Sequence, residues 1–164
     1  MTASETSIRL GFFFGVFFVV AVCEILAPRR PLTTSKAARW GANLIIVGLN
    51  PLSVRAFFPI LPVAMAHLTV EQQWGLFSHL PLPYGLEVVL GILALDLTIY
   101  LQHVLHHAVP ALWRLHMVHH ADLDYDVTTG LRFHPLEIVV SMGIKLSMVA
   151  ALGPPPLAVL IFEV

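Results

Sequence analysis

The sequence contains few charged residues. Asp, Glu, Lys and Arg together make up 12% of its 164 residues, about half of their share in a typical soluble domain. Hydrophobic residues make up 57% of the chain, and the mean hydropathy is +0.82. The formal net charge of −1 gives no excess of positive charge that would attract nucleic acid. The composition therefore predicts a protein that crosses the bilayer several times and has no nucleic-acid partner.

Cysteine is almost absent as well. The single residue, Cys23, excludes an intramolecular disulfide and any metal site built from several thiolates. The apolar stretch around Cys23 is long and is not followed by a small-x-small cleavage site, so it differs from a signal peptide. We therefore interpret residues 10–26 as a retained membrane helix.

Four apolar stretches are long enough, or nearly so, to cross a bilayer core, which needs about 20 helical residues. They cover residues 10–26, 42–66, 86–105 and 138–153. The second is interrupted by Asn50-Pro51 and Arg55, so it is either a kinked helix or a short span followed by a re-entrant segment. We predict an all-α, polytopic membrane helical bundle with about four transmembrane helices, formed as a single membrane domain over residues 1–164.

The basic residues lie in alternate connections between these spans. The connection after the second span, residues 67–85, has no Lys or Arg. Cytoplasmic connections carry an excess of Lys and Arg, so the first and third connections are predicted to be cytoplasmic. These two connections contain Arg29, Arg30, Lys36, Arg39, Arg114 and Arg132.

Six of the nine histidines lie within 18 residues, beginning near the end of the third span. Imidazole is a common metal ligand that suits iron, zinc and copper. On a helix, His103 and His107 are one turn apart and share a face with Asp96, whereas His106 points elsewhere. Two roles are open for Asp96, which lies deepest in the span. It either orients a ligand histidine or makes a structural hydrogen bond to a neighbouring helix.

The second histidine cluster follows Pro110. His116, His119 and His120 lie at positions i, i+3 and i+4, so all three can share one helix face. A zinc hydrolase typically uses three ligands on one ion, whereas five imidazoles favour two metals, or one metal with spare ligands. The spacing therefore predicts a metal site at the cytoplasmic membrane surface, built from His103, His107, His116, His119 and His120.

The two clusters, in their order and separation, resemble the histidine boxes of the fatty acid hydroxylase/sterol desaturase superfamily. The first reads Asp96-x-x-x-Tyr100-x-x-His103-x-x-x-His107, and the second reads Leu112-Trp113-Arg114-x-His116-x-x-His119-His120. Residues 128–137 are similar to the family's sequence after its second box. The resemblance is strongest over residues 86–137.

The resemblance implies a membrane oxygenase that contains two iron ions, ligated mainly by histidine. Such an enzyme uses O2 and electrons from a reductase or cytochrome-type donor, and it attacks an unactivated C–H bond of a fatty acid, sterol or related lipid. The outcome is hydroxylation or desaturation. The ligands it implies are His103 and His107 from the first box and His116, His119 and His120 from the second. Iron comes from the resemblance, because imidazoles alone leave zinc possible.

The sequence departs from the family pattern at three points. Val104 stands where the family commonly has an arginine, and His106 is an additional imidazole. The family also has a third histidine box farther along, and this sequence stops before one. We expect the sequence to be a C-terminally incomplete fragment, the alternative being a truncated and inactive relative of the family.

A hypothesis from a different class is a non-catalytic membrane protein that binds haem or metal. Paired histidines on separate spans can hold haem from both sides. That arrangement requires ligands deep within two helices, whereas here the histidines crowd the end of one span and the connection after it.

Several polar residues follow the second box. Asp122, Asp124 and Asp126 are candidates to bind metal or to hold a ligand histidine, but at least two of them are predicted to lie in a solvated loop. His134 is predicted to be a loop histidine before Pro135, with a role as a ligand or as a contact to substrate as the alternative. Residues 132 and 137, an arginine and a glutamate, are expected to pair with each other or with the loop carboxylates.

Overall fold

The computed structural model describes the backbone of residues 3–164 and the side chains of residues 6–164. Within this range the protein is helical, and no strand is found among the described residues, which confirms the predicted all-α class. The helices are α1 (Ala3–Leu26), α2 (Lys36–Phe57), α3 (Pro62–Glu71), α4 (Tyr84–Ala108), α5 (Pro110–His120), α6 (Pro135–Leu152) and α7 (Pro156–Glu163). Short 3₁₀ turns cover Leu76–His79 and Thr129–Leu131.

Four segments are long and apolar enough to cross a membrane, as the sequence predicted. They are Thr6–Leu26, Lys36–His79, Tyr84–Ala108 and Pro135–Leu152. Helix α1 also exposes large apolar side chains such as Phe12, Phe14 and Phe18, and exposed apolar surface of this extent suits contact with lipid.

The second of these segments is two helices rather than one kinked span. Helix α2 continues through Pro51 and ends at Phe57, and α3 begins at Pro62. The break falls here because a proline disfavours the helical conformation of the residue before it, and Pro59 acts in this way on Phe58. Pro62 then occupies the first helical turn, where its missing N–H is not needed.

The chain divides into two compact units, and the first contains the apolar core. This unit comprises the described residues up to Arg9, Phe58–Val104 and Val140–Val164. Buried side chains from α3, α4, α6 and α7 pack together there: Val63, Ala66, Leu95, Val149 and Val159. Gly153, directly after α6, packs closely against the backbone of Trp74 in this unit. A Cβ atom on Gly153 (φ +63°) would lie 2.3 Å from the carbonyl oxygen of Trp74.

The second unit comprises Leu10–Phe57 and Leu105–Val139. Polar contacts, rather than a large apolar core, join its α1–α2 connection and the start of α2 to the loop after α5. The two connections that the charge pattern assigned to one side of the membrane therefore meet in this unit. The prediction of a single membrane domain stays a prediction.

Candidate metal centre

The junction between α4 and α5 brings histidines of both helices together. Helix α4 ends at Ala108, and α5 begins at Pro110, so Val109 alone joins them, in an extended conformation. Pro110 favours this break because a proline inside a helix removes a backbone hydrogen bond and clashes with the preceding turn, whereas it is well suited to begin a helix. The last turn of α4 consequently lies against the face of α5 that carries the second histidine cluster.

Three imidazoles of the second unit form a nearly equilateral group. The ring centre of His107 lies 4.8 Å from that of His116 and 4.9 Å from that of His120, and the last two rings are 4.9 Å apart. Each of these residues offers one nitrogen to a group of possible metal-ligand atoms that lie within 4.8 Å of one another.

His103 also belongs to this group of ligand atoms. The division into units cuts α4 after Val104, but α4 is one uninterrupted helix, which places His103 one turn before His107. Four of the five predicted ligands are therefore brought together. We call His103, His107, His116 and His120 the histidine cluster.

His116 is the buried member of the histidine cluster, with 1% of its surface exposed. Its Nδ1 atom lies 2.6 Å from Oε1 of Glu137, and its Nε2 atom lies 3.2 Å from Nε2 of His120. Two nitrogens bound to one ion at about 2.1 Å lie roughly 3.0 to 3.4 Å apart for common bond angles. The separation of the two Nε2 atoms therefore fits a shared metal ion.

His119 is the predicted ligand that the structure leaves outside the histidine cluster. Its ring stacks on Phe133, with centroids 4.4 Å apart and an interplanar angle of 6°, and it donates a hydrogen bond to the backbone of Arg132. Burial lowers the pKa of His119, and the neighbouring His120 and His116 lower it further. This keeps the imidazole neutral at physiological pH, but its role as a ligand stays a prediction.

Three other candidates also lie outside the histidine cluster. His106 is buried, and its ring centre lies 5.6 Å from that of His116. His134 is at the start of α6, where its Nδ1 accepts a hydrogen bond from the backbone N–H of Leu136. Asp96 is exposed and makes no hydrogen bond or ion pair with any residue that the structure describes.

The prediction of a solvated aspartate loop is wrong. The Asp122 side chain accepts hydrogen bonds from Arg39 Nε (2.7 Å), Asn43 Nδ2 (3.0 Å) and Thr129 Oγ1 (2.6 Å). Burial alone would raise the pKa of Asp122, but the hydrogen bonds from Thr129, Arg39 and Asn43 and the charge of Arg39 lower it to about 2. Asp122 is therefore an anchor that ties the end of α5 to α2.

Asp124 is also buried, with 1% of its surface exposed. Its carboxylate accepts hydrogen bonds from the backbone N–H and hydroxyl groups of Thr33 and Thr34, at 2.8 to 3.0 Å. Burial alone would raise the pKa of Asp124, but these hydrogen bonds lower it. The hydrogen bond from the Thr34 N–H has the largest effect among them.

Asp126 makes similar contacts with α2. It accepts a hydrogen bond from Trp40 Nε1 at 3.0 Å and lies 3.1 Å from an Arg39 nitrogen. Burial alone would raise the pKa of Asp126, but hydrogen bonds from Thr128 and Trp40 lower it. Arg132 was expected from the sequence to pair with an acidic residue. It instead donates a hydrogen bond to Asn43 Oδ1 at 3.3 Å. We call Asp122, Asp124 and Asp126 with their partners the aspartate anchor.

Sequence reasoning missed the role of Glu137. It placed this residue in a pair with Arg132 or with the loop, whereas Glu137 contacts His116. One signal was present in the sequence: an acidic residue in the first turn of an apolar membrane helix is costly to bury unless it has a partner.

Comparison with known proteins agrees with the histidine spacing. The family model for fatty acid hydroxylases matches residues 88–164, which include α5, α6, α7 and most of α4. No curated protein and no solved structure matches the chain. The family match confirms the resemblance that the two histidine boxes predicted: residues 88–164, just under half of the chain, match the fatty acid hydroxylase family, which supports the assignment to the fatty acid hydroxylase/sterol desaturase superfamily.

Proposed function

We propose that this protein is an iron-dependent, O2-using membrane oxidoreductase that hydroxylates or desaturates a lipid. The observation that carries the proposal is the histidine cluster, which lies in the region that the fatty acid hydroxylase model matches. The substrate is a fatty acid, a sterol or a related lipid, and electrons come from a reductase or cytochrome-type donor on the cytoplasmic side.

The donor set of the histidine cluster suits the proposed metal. Neutral imidazoles bind iron and zinc well, and opposite ligands on one ion lie about 4.2 Å apart when each bond is about 2.1 Å. Ligand atoms within 4.8 Å of one another reach that arrangement by small side-chain movements. Two iron ions need more donors, and the nearest further imidazoles are His106 and His119, whose ring centres lie 5.6 and 5.4 Å from that of His116.

Iron bound at this site would supply the redox chemistry that lets O2 attack a lipid C–H bond. The imidazole nitrogens of the histidine cluster would hold the ion. His103, His107 and His120 are exposed, whereas His116 is buried, so the ion would lie at the edge of the protein rather than in its interior.

Haem binding is the weaker alternative. Axial haem ligands lie on opposite sides of a porphyrin plane, which must pass between them. The histidine cluster takes its four ligands from the end of α4 and from the helix that directly follows it, whereas a haem held between two spans needs one ligand on each side of the porphyrin. A Soret band in the purified protein would support haem.

Metal analysis tests the site. We expect the protein, purified in detergent and loaded with Fe²⁺ or Zn²⁺ without O2, to retain metal after gel filtration. His107→Ala or His120→Ala should remove most of it, and the control His79→Ala, at an exposed histidine of the first unit, should not. His119→Ala tests the fifth predicted ligand. Equal metal content in wild type, His107→Ala and His120→Ala would refute the site.

Isotope labelling tests the reaction. Membranes that contain the protein are supplied with ¹⁸O2 and a reductant, and their lipids are examined by mass spectrometry. Hydroxylation adds one ¹⁸O atom to the lipid, whereas desaturation removes two hydrogens and adds no oxygen. We expect one of these products in wild type and neither in His120→Ala. Membranes in which wild type and His120→Ala yield the same lipids would contradict the proposed activity.

A further inference from the structure

The contact between Glu137 and His116 stands out because both side chains are buried. Glu137 lies in the first turn of α6 and is 3% exposed, and His116 is 1% exposed. The 2.6 Å separation of Glu137 Oε1 and His116 Nδ1 is a short hydrogen bond, as is typical when one of the two partners is ionised. Burial of a carboxylate is costly without such a partner. The two residues are 21 positions apart in the sequence, so the fold, and not a helix repeat, brings them together.

This hydrogen bond determines which nitrogen of His116 can bind a metal. A carboxylate accepts hydrogen bonds, so the proton of a neutral imidazole lies on Nδ1 and the lone pair lies on Nε2. Nε2 is the atom that faces His120 at 3.2 Å. With the opposite tautomer, the Nε2 proton would point to the place where a shared ion fits.

His116 also differs from the rest of the histidine cluster in its freedom to move. His103, His107 and His120 are exposed, and exposed side chains change rotamer readily. The ring of His116 is held by Glu137 on one side and lies 6.2 Å from the ring of Phe133. Burial and the contact with Glu137 therefore fix the position of the His116 ring.

We propose that Glu137 is a positioning residue of the metal centre, which holds His116 with Nε2 directed to the ion. This inference rests on the proposed function. Carboxylates that hold the second nitrogen of a ligand histidine fix its tautomer and orientation, and their loss typically weakens metal binding about 10- to 100-fold. Glu137 does not touch the ion in this role and acts through His116.

Metal affinity measured by competition with a chelator tests this role. In the full chain in detergent, Glu137→Gln is expected to bind Zn²⁺ about 10- to 100-fold more weakly than wild type. The matched control is Glu71→Gln, at the exposed end of α3, which should bind as wild type does. Glu137→Asp keeps the charge and should recover part of the loss.

A double variant separates positioning from a general structural role. In a His116→Ala background, Glu137→Gln should cause no further loss of Zn²⁺ affinity, because the residue through which Glu137 acts is gone. If Glu137→Gln weakens binding by the same factor with and without His116, Glu137 does not act through His116 and the proposal is wrong. Circular dichroism of each variant verifies that the helices persist.

The tautomer of His116 can be read in the metal-free wild-type protein, and a variant is needed only to assign the signals. Ring ¹⁵N shifts, assigned by comparison with His116→Ala, should show a proton on Nδ1 and none on Nε2 at neutral pH. A proton on Nε2 would overturn the proposal. If wild type binds no metal, the proposed function fails and the positioning role falls with it. If wild type binds metal and Glu137→Gln binds equally well, the positioning role alone is wrong.

Discussion

Single residues of the candidate metal centre were partly predictable from the sequence. His103 with His107, and His116 with His120, are spaced four positions apart, and one helical turn fixes their neighbourhood whatever the tertiary structure. The partner of His116 was not predictable in this way. Glu137 contacts His116, but an irregular loop separates the two residues in the sequence. Helical periodicity cannot predict which residues meet across such a loop.

Trp113 provides a spectroscopic probe of the histidine cluster. Its ring centre lies 5.4 Å from that of His107, 5.6 Å from that of His120 and 6.3 Å from that of His116. An ion with unpaired d electrons at this distance quenches indole fluorescence, whereas Zn²⁺, with a filled d shell, does not. We therefore expect Co²⁺ to lower the tryptophan emission and Zn²⁺ to leave it nearly unchanged.

The assignment of this signal to one residue uses the variant Trp113→Phe. Trp40 and Trp74 remain in that variant, so emission persists, but its response to Co²⁺ should disappear. Quenching of the same size in Trp113→Phe would place the bound ion away from the histidine cluster.

At the scale of the elements, the length of the apolar stretches predicted the long helices correctly, whereas the pattern of polar residues gave a wrong prediction for the loop after α5. Three alternating aspartates are typical of a solvated loop, and nothing in their spacing shows that α2 supplies Arg39 and Asn43 as partners. The interruption of the second span was also predicted at the wrong proline. Pro51 lies inside α2, and the chain leaves the helix where Pro59 acts on the residue before it.

The aspartate anchor should contribute strongly to stability at the end of α5. Asp122→Ala removes two hydrogen bonds of the Arg39 side chain, which is 8% exposed. Loss of one partner of a buried ion pair typically costs 3 to 5 kcal/mol, and Asp126 still contacts Arg39. We therefore expect a loss of about 3 kcal/mol in the free energy of unfolding, the low end of that range.

Denaturation in mixed micelles, followed by circular dichroism, measures this loss. The matched control is Asp96→Ala, because Asp96 is exposed and has no partner among the described residues. Its effect should stay within about 0.5 kcal/mol, as is usual for surface substitutions. Equal stability of Asp122→Ala and Asp96→Ala would show that the anchor is not structural.

Acid should weaken the same anchor. The pKa values of Asp124 and Asp126 are lowered in the folded protein, so unfolding makes these carboxyl groups bind protons more readily. Their contribution to stability is present above the pKa of a free aspartate, about 3.9, and is lost as the pH falls through the lower folded values. The midpoint temperature of unfolding should therefore decrease when the pH is lowered below about 4.

The variant Asp126→Asn tests the source of this pH dependence. It removes one titrating group of the aspartate anchor, so its thermal midpoint should be lower than that of wild type near neutral pH and should fall less steeply in acid. Asp96→Asn serves as the control and should follow the wild-type curve. Parallel curves for wild type and Asp126→Asn would assign the acid sensitivity to other groups.

At the scale of the whole molecule, the sequence predicted the all-α class and the four apolar segments, because bilayer thickness and helix rise set the length of a span. Side-chain contacts then support one part of the predicted topology. Thr33 and Thr34 in the first connection bind Asp124 in the third, so these two connections lie together. Which side of the membrane they occupy is predicted only by the basic residues.

Cysteine labelling in intact cells tests that orientation. Cys23→Ser removes the single native thiol, and three separate variants on this background, Ser35→Cys, Gln72→Cys and Tyr125→Cys, place one thiol in each connection at an exposed position. We expect a membrane-impermeant maleimide to label the Gln72→Cys protein from outside, and the other two only after permeabilisation. This result follows if the arginines of the first and third connections stay in the cytoplasm.

The other outcomes of this labelling separate the fold from the function. Labelling of the Ser35→Cys and Tyr125→Cys proteins from opposite sides would contradict the contact between their connections. Labelling of both from outside, with Gln72→Cys protected, would leave that contact intact and reverse the orientation. The histidine cluster lies next to the third connection, so a reversed orientation would expose it outside the cytoplasm, where a cytoplasmic electron donor cannot reach it. The proposed oxidoreductase therefore requires the first and third connections to face the cytoplasm together.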